Sequence, residues 1–138
     1  MRYEFDELLI SDEKELLQID VIAGFLSRSY WANKRSITTI QKSIEASLCV
    51  GVYHDRKQIG FARIVTDHAT MYWLADVYVD EDYRGRSIGK KLIETITNSE
   101  DLKDLVGILG TKDAHELYEQ YGFERDAARF MRRAPENG

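Results

Sequence analysis

The sequence predicts a mixed α/β fold, a central sheet with helices on its faces. Three observations predict it. "SLCVGVYHD" (47–55), "QIGFARIVTD" (58–67) and "TMYWLADVYVD" (70–80) are rich in β-branched and aromatic residues. The turns between them are too short for anything but antiparallel pairing. A second buried-strand pattern, "LVGILGT" (105–111), lies across a helical pattern from the strand at 70–80, which implies a parallel pair with a right-handed crossover. The chain has 138 residues, 43% hydrophobic and 31% charged, enough for one domain with its own core.

The elements follow in order. "YEFDELLI" (3–10) reads as a first strand. Ser11, Asp12 and Glu13 suit a helix start, continued by Leu16, Ile19, Ala23 and Leu26 at helical spacing. "SRSYWANKRS" (27–36) has no period and reads as a loop or broken helix. Ile37, Ile40, Ile44 and Leu48 mark a second helix, and the strands at 47–55 and 58–67 form a hairpin around "DRK". After the strand at 70–80, Ile88, Leu92, Ile93 and Ile96 form an apolar stripe that ends near Asn98. Asp113 and Glu116 resemble a capping box for a last helix presenting Ala114, Leu117, Tyr118 and Tyr121, with Gly122 as its stop. "ARFMRR" (128–133) reads as a final strand. The expected order is β-α-α-β-β-β-α-β-α-β, one domain over 1–134 and a short tail at 135–138.

Composition excludes several function classes. The net charge of −5 is the wrong sign for a nucleic-acid binder. No apolar run approaches the ~20 residues of a membrane span, and the acidic N-terminus "MRYEFDELLI" does not resemble a signal peptide. Cys49 is the only cysteine, so no intrachain disulfide can form. Its apolar neighbours mark it as a small buried hydrophobe. A cytoplasmic location is the expectation, and no metal site is expected.

One stretch concentrates cations. In "DEDYRGRSIGKKL" (80–92), Arg84, Arg86, Lys90 and Lys91 surround Gly85, Ser87 and Gly89 where the helix begins. The first N–H groups of a helix lack intrahelical partners, and the macrodipole adds about half a positive charge there. Small side chains let an anion approach those amides, so the stretch has the physics of a phosphate or pyrophosphate cradle. It is not a Walker loop, because Gly85 and Gly89 are too close and no Ser or Thr follows Lys90. Nor is it a Rossmann fingerprint, because Ser87 stands where the second glycine belongs.

Arg84-Gly85-Arg86-Ser87-Ile88-Gly89, following "VYVDEDY" and opening a long helix, resembles the [R/Q]-x-x-G-x-[G/A] signature of the GCN5-related N-acetyltransferase (GNAT) family. "AHELYEQYGF" (114–123) is similar to that family's A-x-x-L-Y-E-K-x-G-F helix and turn. Ser87 replaces the first signature glycine, as a residue able to cap the helix, and Thr111 replaces a frequent asparagine.

The resemblance implies a GNAT-like fold and acetyl-coenzyme A held in a V-shaped opening between the strands at 70–80 and 105–111. It places the backbone of Val77, Tyr78 and Val79 along the pantetheine arm, with a strand amide polarising the thioester carbonyl. Residues Arg84, Gly85, Arg86, Ser87, Ile88, Gly89 and Lys90 would bind the diphosphate. Tyr118 matches the tyrosine that protonates the departing thiolate. The implied activity is direct acetyl transfer to a small-molecule or peptide amine; the alternative is a coenzyme A-binding sensor without turnover. A homodimer is an option the family leaves open.

The residues themselves add three readings. Asp76, a carboxylate inside an apolar strand, is the candidate base or water-holder unless it is paired with a cation. Arg28, Tyr30 and Trp31 offer the acceptor an aromatic wall and a carboxylate-binding cation. His68 and His115 are the other residues weighed for proton chemistry, and they read as solvated turn and helix-start residues.

Overall fold

The computed structural model describes residues 1–136. The sequence expected as one strand over 3–10 is a hairpin, β1 (Arg2–Phe5) and β2 (Leu8–Ser11). Asp6 (φ 44°) and Glu7 (φ 67°) are both left-handed, the signature of a two-residue type I′ turn. Folding back there lets Leu8 and Ile10 point into the core, 7% and 0% exposed. The first helix also begins later than expected. Lys14–Leu16 is a single 3₁₀ turn, and α1 spans Ile19–Ser27. The cause is tertiary: Gln18 N–H donates to Gln58 Oε1 (2.8 Å) and Gln58 N–H donates to Gln18 Oε1 (3.1 Å). That exchange keeps Gln18 extended, so the helix starts after it.

Residues 28–36 form a loop, and α2 (Ile37–Glu45) starts at Ser36, whose Oγ accepts the Thr39 amide. Strands β3 (Leu48–His54) and β4 (Lys57–Thr66) turn at Asp55 and Arg56, again a left-handed pair (φ 47° and 70°). Strand β5 is Met71–Val79, α3 is Ile88–Thr97, β6 is Val106–Leu109 and α4 is His115–Glu119. The six strands lie in sequence order, with every neighbouring pair antiparallel except β5 and β6. That parallel pair, joined through α3, is the crossover the sequence predicts.

Alternation along the strands divides the core in two. Val50, Val52, Ile64 and Leu74 face α3, where Ile88, Leu92, Ile93 and Ile96 are 0–2% exposed. Burying four such side chains stabilises by roughly 6–12 kcal/mol before conformational entropy is charged. Cys49, Phe61 and Tyr78 face α1 and α2, meeting Ile22, Phe25, Leu26 and Ile40. Burial pushes the Cys49 thiol up to about 11, so it remains an unreactive thiol.

Two expectations near the C-terminus are corrected. Asp113 and Glu116 form no capping box; α4 starts at Ala114, whose amide is held by Thr111 Oγ1 at 3.0 Å. Gly122 (φ 91°) does terminate the segment, with Phe123 N–H bonded to the Tyr118 carbonyl at 3.3 Å. Residues 128–133 are not a strand. Phe130 instead stacks on Trp73 of β5 (centroids 5.9 Å, 21°), so it finds a sheet-face partner rather than ladder hydrogen bonds. No described helix is long and apolar enough to cross a membrane.

Candidate active site

Strands β5 and β6 are paired only from Met71–Val106 to Leu74–Leu109. Beyond Leu74, β5 keeps β4 as a neighbour but loses β6, so one backbone edge of Ala75–Val79 is open. The opening coincides with a bulge: the β4–β5 register slips between Phe61 and Arg63, and Asp76 across from it has φ 53°. An open edge beside a bulge is where an extended ligand can add main-chain hydrogen bonds. Val77 and Val79 pack toward the α3 core, while Tyr78 is buried on the other face against Phe25 (5.0 Å, 21°). One acceptor of that edge has a partner already, since Val79 O receives Arg84 Nε at 3.1 Å.

Past Val79 the chain enters the cradle. Asp80 caps a 3₁₀ turn, Glu81–Tyr83, by accepting the Asp82 amide, and Tyr83 OH meets His54 Nδ1 at 2.8 Å. The Arg86 guanidinium lies over the Tyr83 ring at 5.0 Å. Gly85 (φ 81°) and Ser87 (φ 60°) are both left-handed, which bends the backbone before α3. Ser87 therefore does not cap through its hydroxyl, which accepts no amide of α3. Its place in the signature favours glycine because a left-handed L-residue costs ~1–2 kcal/mol.

The first amide of this region with a backbone acceptor is Lys91, bonded to Ser87 O at 3.1 Å. Among the described residues, the amides of Gly85, Arg86, Ser87, Ile88, Gly89 and Lys90 find none. Ile88, 2% exposed, anchors the turn in the core. A Cβ added at Gly85 would meet nothing within 4 Å, and one at Gly89 only Val79 Cγ2 at 4.0 Å. The space beside these donors is open to a ligand. Unpaired amides, a helix start and cations fit a diphosphate group.

Tyr118, on α4, is 9% exposed and packs edge-on to Phe123 (5.9 Å, 77°). Among the described residues its hydroxyl has no hydrogen-bond partner. Burial, with smaller contributions from Tyr30 and Asp113, pushes its pKa up to about 12, so it stays protonated at neutral pH. Tyr30 comes from the opposite face, on the loop after α1, and its OH accepts the Lys112 amide at 3.2 Å. Lys112 Nζ also sits over the Tyr30 ring at 5.6 Å. The loop after β6 thus joins the two faces where the strands part.

The acceptor-side residues are more heavily engaged than the sequence suggests. Arg28 grips an internal carboxylate: Nε and Nη2 donate to Glu81 Oε1 and Oε2 at 3.0 and 3.1 Å. Tyr78 OH also donates to Glu81, and Arg28, followed by Tyr78, holds the Glu81 carboxyl down to about 2. Arg28 is therefore not a vacant carboxylate receptor. Tyr30 and Trp31 are 53% and 40% exposed and meet edge to face at 5.0 Å, an accessible aromatic wall.

Asp76 is 6% exposed and fully partnered. Oδ2 accepts Arg63 Nε and Arg35 Nη1, both at 2.8 Å, and Oδ1 accepts Trp31 Nε1 at 2.9 Å. Burial works to raise its pKa, but the Arg63 hydrogen bond and the charges of Arg63 and Arg35 outweigh it and leave the pKa lowered. It is paired with cations, the alternative to a base. Arg35, Arg63 and Glu81 escaped sequence reasoning; the one available signal was Arg63, a lone charge in an apolar strand beside the one carrying Asp76. His68 (φ 60°) lies in the β4–β5 turn and His115 opens α4, as expected.

A strand opening beside a left-handed turn into an amide-lined helix start is a geometry able to hold an extended, anionic ligand. Residues 45–125 match the Acetyltransferase (GNAT) domain family. The chain belongs to the GNAT family. A crystal structure of a GNAT-family protein from Xanthomonas campestris pv. campestris is 34% identical, covers 96% of both chains and superposes with a TM-score of 0.89. A Gibberella zeae protein grouped by name with the acetyltransferases is 25% identical over 113 residues, 67% of this chain and 64% of its own length. GCN5-related N-acetyltransferase 2, chloroplastic, from Arabidopsis thaliana is 32% identical over 74 residues, 52% of this chain and 29% of its own length. The chain thus spans less than two thirds of the length of these two curated relatives.

Proposed function

We propose that the protein is an acetyl-coenzyme A-dependent N-acetyltransferase, acting by direct attack of a bound amine in a ternary complex. One observation carries this reading: six consecutive amides, Gly85 through Lys90, unpaired among the described residues, open α3 next to the unpaired edge of β5. Acetyl-coenzyme A supplies an acetyl group already activated as a thioester. Residues 85–90 hold its diphosphate through their N–H groups, with Arg86 and Lys90 adding charge. The free edge of Val77–Val79 aligns the pantetheine arm, and a β5 amide donates to the acyl oxygen, an interaction that can be worth ~3 kcal/mol.

Tyr118 donates its proton to the departing sulfur. Its hydroxyl, unpartnered among the described residues on a largely buried ring, suits that role, because the proton is held until a strong base appears. Tyr30 and Trp31 line the acceptor side, and Arg28 fixes that wall to Glu81 rather than binding substrate itself. Because Asp76 is committed to three donors, the amine arrives unprotonated or loses its proton to water. Release of free thiol on mixing acetyl-coenzyme A with a panel of small and peptide amines tests the reading. Amine-dependent thiol release is expected; cofactor binding with no thiol release from any amine would overturn it.

A further inference from the structure

We infer that Asp76 is a positioning residue, a latch that ties the acceptor loop to the bulge where β5 parts from β6. The inference rests on the acyl-transfer reading above but gives Asp76 a role outside the proton chemistry. A non-glycine residue at φ 53° inside a strand persists only where its surroundings over-determine it. Here the determinant is the residue's own carboxylate. Arg63 fixes it to β4 across the register slip, while Trp31 and Arg35 fix it to the loop at 28–36.

The same group therefore sets two things. It holds the bulge that leaves the following β5 amides on the open edge, and it holds the indole that walls the acceptor side. Trp31 in turn lies 6.4 Å from the Tyr78 ring, on the residue two past the bulge. Loop and strand edge move together or not at all. The cradle at 85–90 lies on another element, and none of the three hydrogen bonds of Asp76 goes to it.

The test uses the full chain carrying Trp73→Phe, which leaves Trp31 as the only tryptophan. Asp76→Asn in that background is expected to raise acrylamide quenching of Trp31 by about twofold or more, as the loop is freed. Arg35→Met, which leaves Arg63 on the carboxylate, is expected to raise it by less and serves if Asp76→Asn does not fold. Unchanged quenching in the variants overturns the latch, whether or not the protein transfers acetyl groups. With an active amine, Asp76→Asn is expected to lower kcat/KM for the amine at least tenfold, to weaken acetyl-coenzyme A by a smaller factor, and to leave the acid limb of the pH profile in place. Loss of that limb would assign Asp76 the base role and overturn the latch. Absence of thiol release from the wild type would instead remove the acyl-transfer reading, and the quenching alone would then decide.

Discussion

The cradle at 85–90 and the loop at 28–36 are built on different principles. The cradle is made of backbone. Its donors are amides, its shape comes from left-handed Gly85 and Ser87, and it stays open because Gly85 and Gly89 carry no side chain. The loop is made of side chains pulled in from afar: Trp31 and Arg35 reach Asp76, 45 and 41 residues away, and Arg28 reaches Glu81, 53 residues away. A backbone site tolerates changes of side chain but not of bulk. A side-chain site fails when one partner is removed and leaves the other charge unpaired.

The sharpest way to break the comparison is Gly89→Glu. Val79 is the one contact a Cβ there would make, so the fold has room for it. The added carboxylate would stand among the diphosphate's donors, and affinity for acetyl-coenzyme A is expected to fall on the order of 100-fold or more by calorimetry. Unchanged affinity would place the diphosphate elsewhere. Next in size is Tyr118→Phe, which keeps the packing on Phe123. It is expected to lower kcat by roughly 100-fold with little change in cofactor affinity. Equal losses in both would remove Tyr118 from the acid role.

The pH profile sharpens the contrast further. The acid limb of kcat/KM should follow the pKa of each amine tested, because Asp76 is already ionised and partnered. Its folded pKa lies below the unfolded value of ~3.9, so the stability it contributes is present above that pH and is lost on further acidification. Tyr118 has the opposite sense, with a folded pKa of about 12 above the unfolded ~10. Its hydroxyl therefore contributes stability below pH ~10 that is lost toward 12, and it imposes no alkaline limb on activity before that range. A profile identical for amines of different basicity would point to an enzyme base.

The smallest effect expected is from Ser87→Gly. Relief of the left-handed serine, partly offset by the freer unfolded chain, is expected to stabilise by up to ~1 kcal/mol, a rise in Tm of about 2–5 °C. Cofactor affinity should be equal or tighter. A fall in Tm would show that the serine side chain has a structural partner in solution.

The same contrast explains what was legible in the sequence. The cradle, the stripe from Ile88 to Ile96 and the parallel crossover depend on local spacing and residue size, which a linear pattern records. The break at Asp6-Glu7 was missed because two acidic residues are an unusual pair for a left-handed turn. The late start of α1 depends on Gln58, forty residues away, and no periodicity reports such a partner. The expected strand at 128–133 has the right residue types, but Phe130 found Trp73 instead of a pairing edge. Asp76 stood out as an anomalous carboxylate, yet whether it was free or paired depended on Arg35 and Arg63, which only the fold brings to it.

The most direct test of the central claim is the amide spectrum of ¹⁵N-labelled protein titrated with acetyl-coenzyme A. The largest shifts are predicted at Gly85 through Lys90, with further changes along Val77–Val79. Saturable binding that leaves the amides of 85–90 unmoved while others shift would contradict the account.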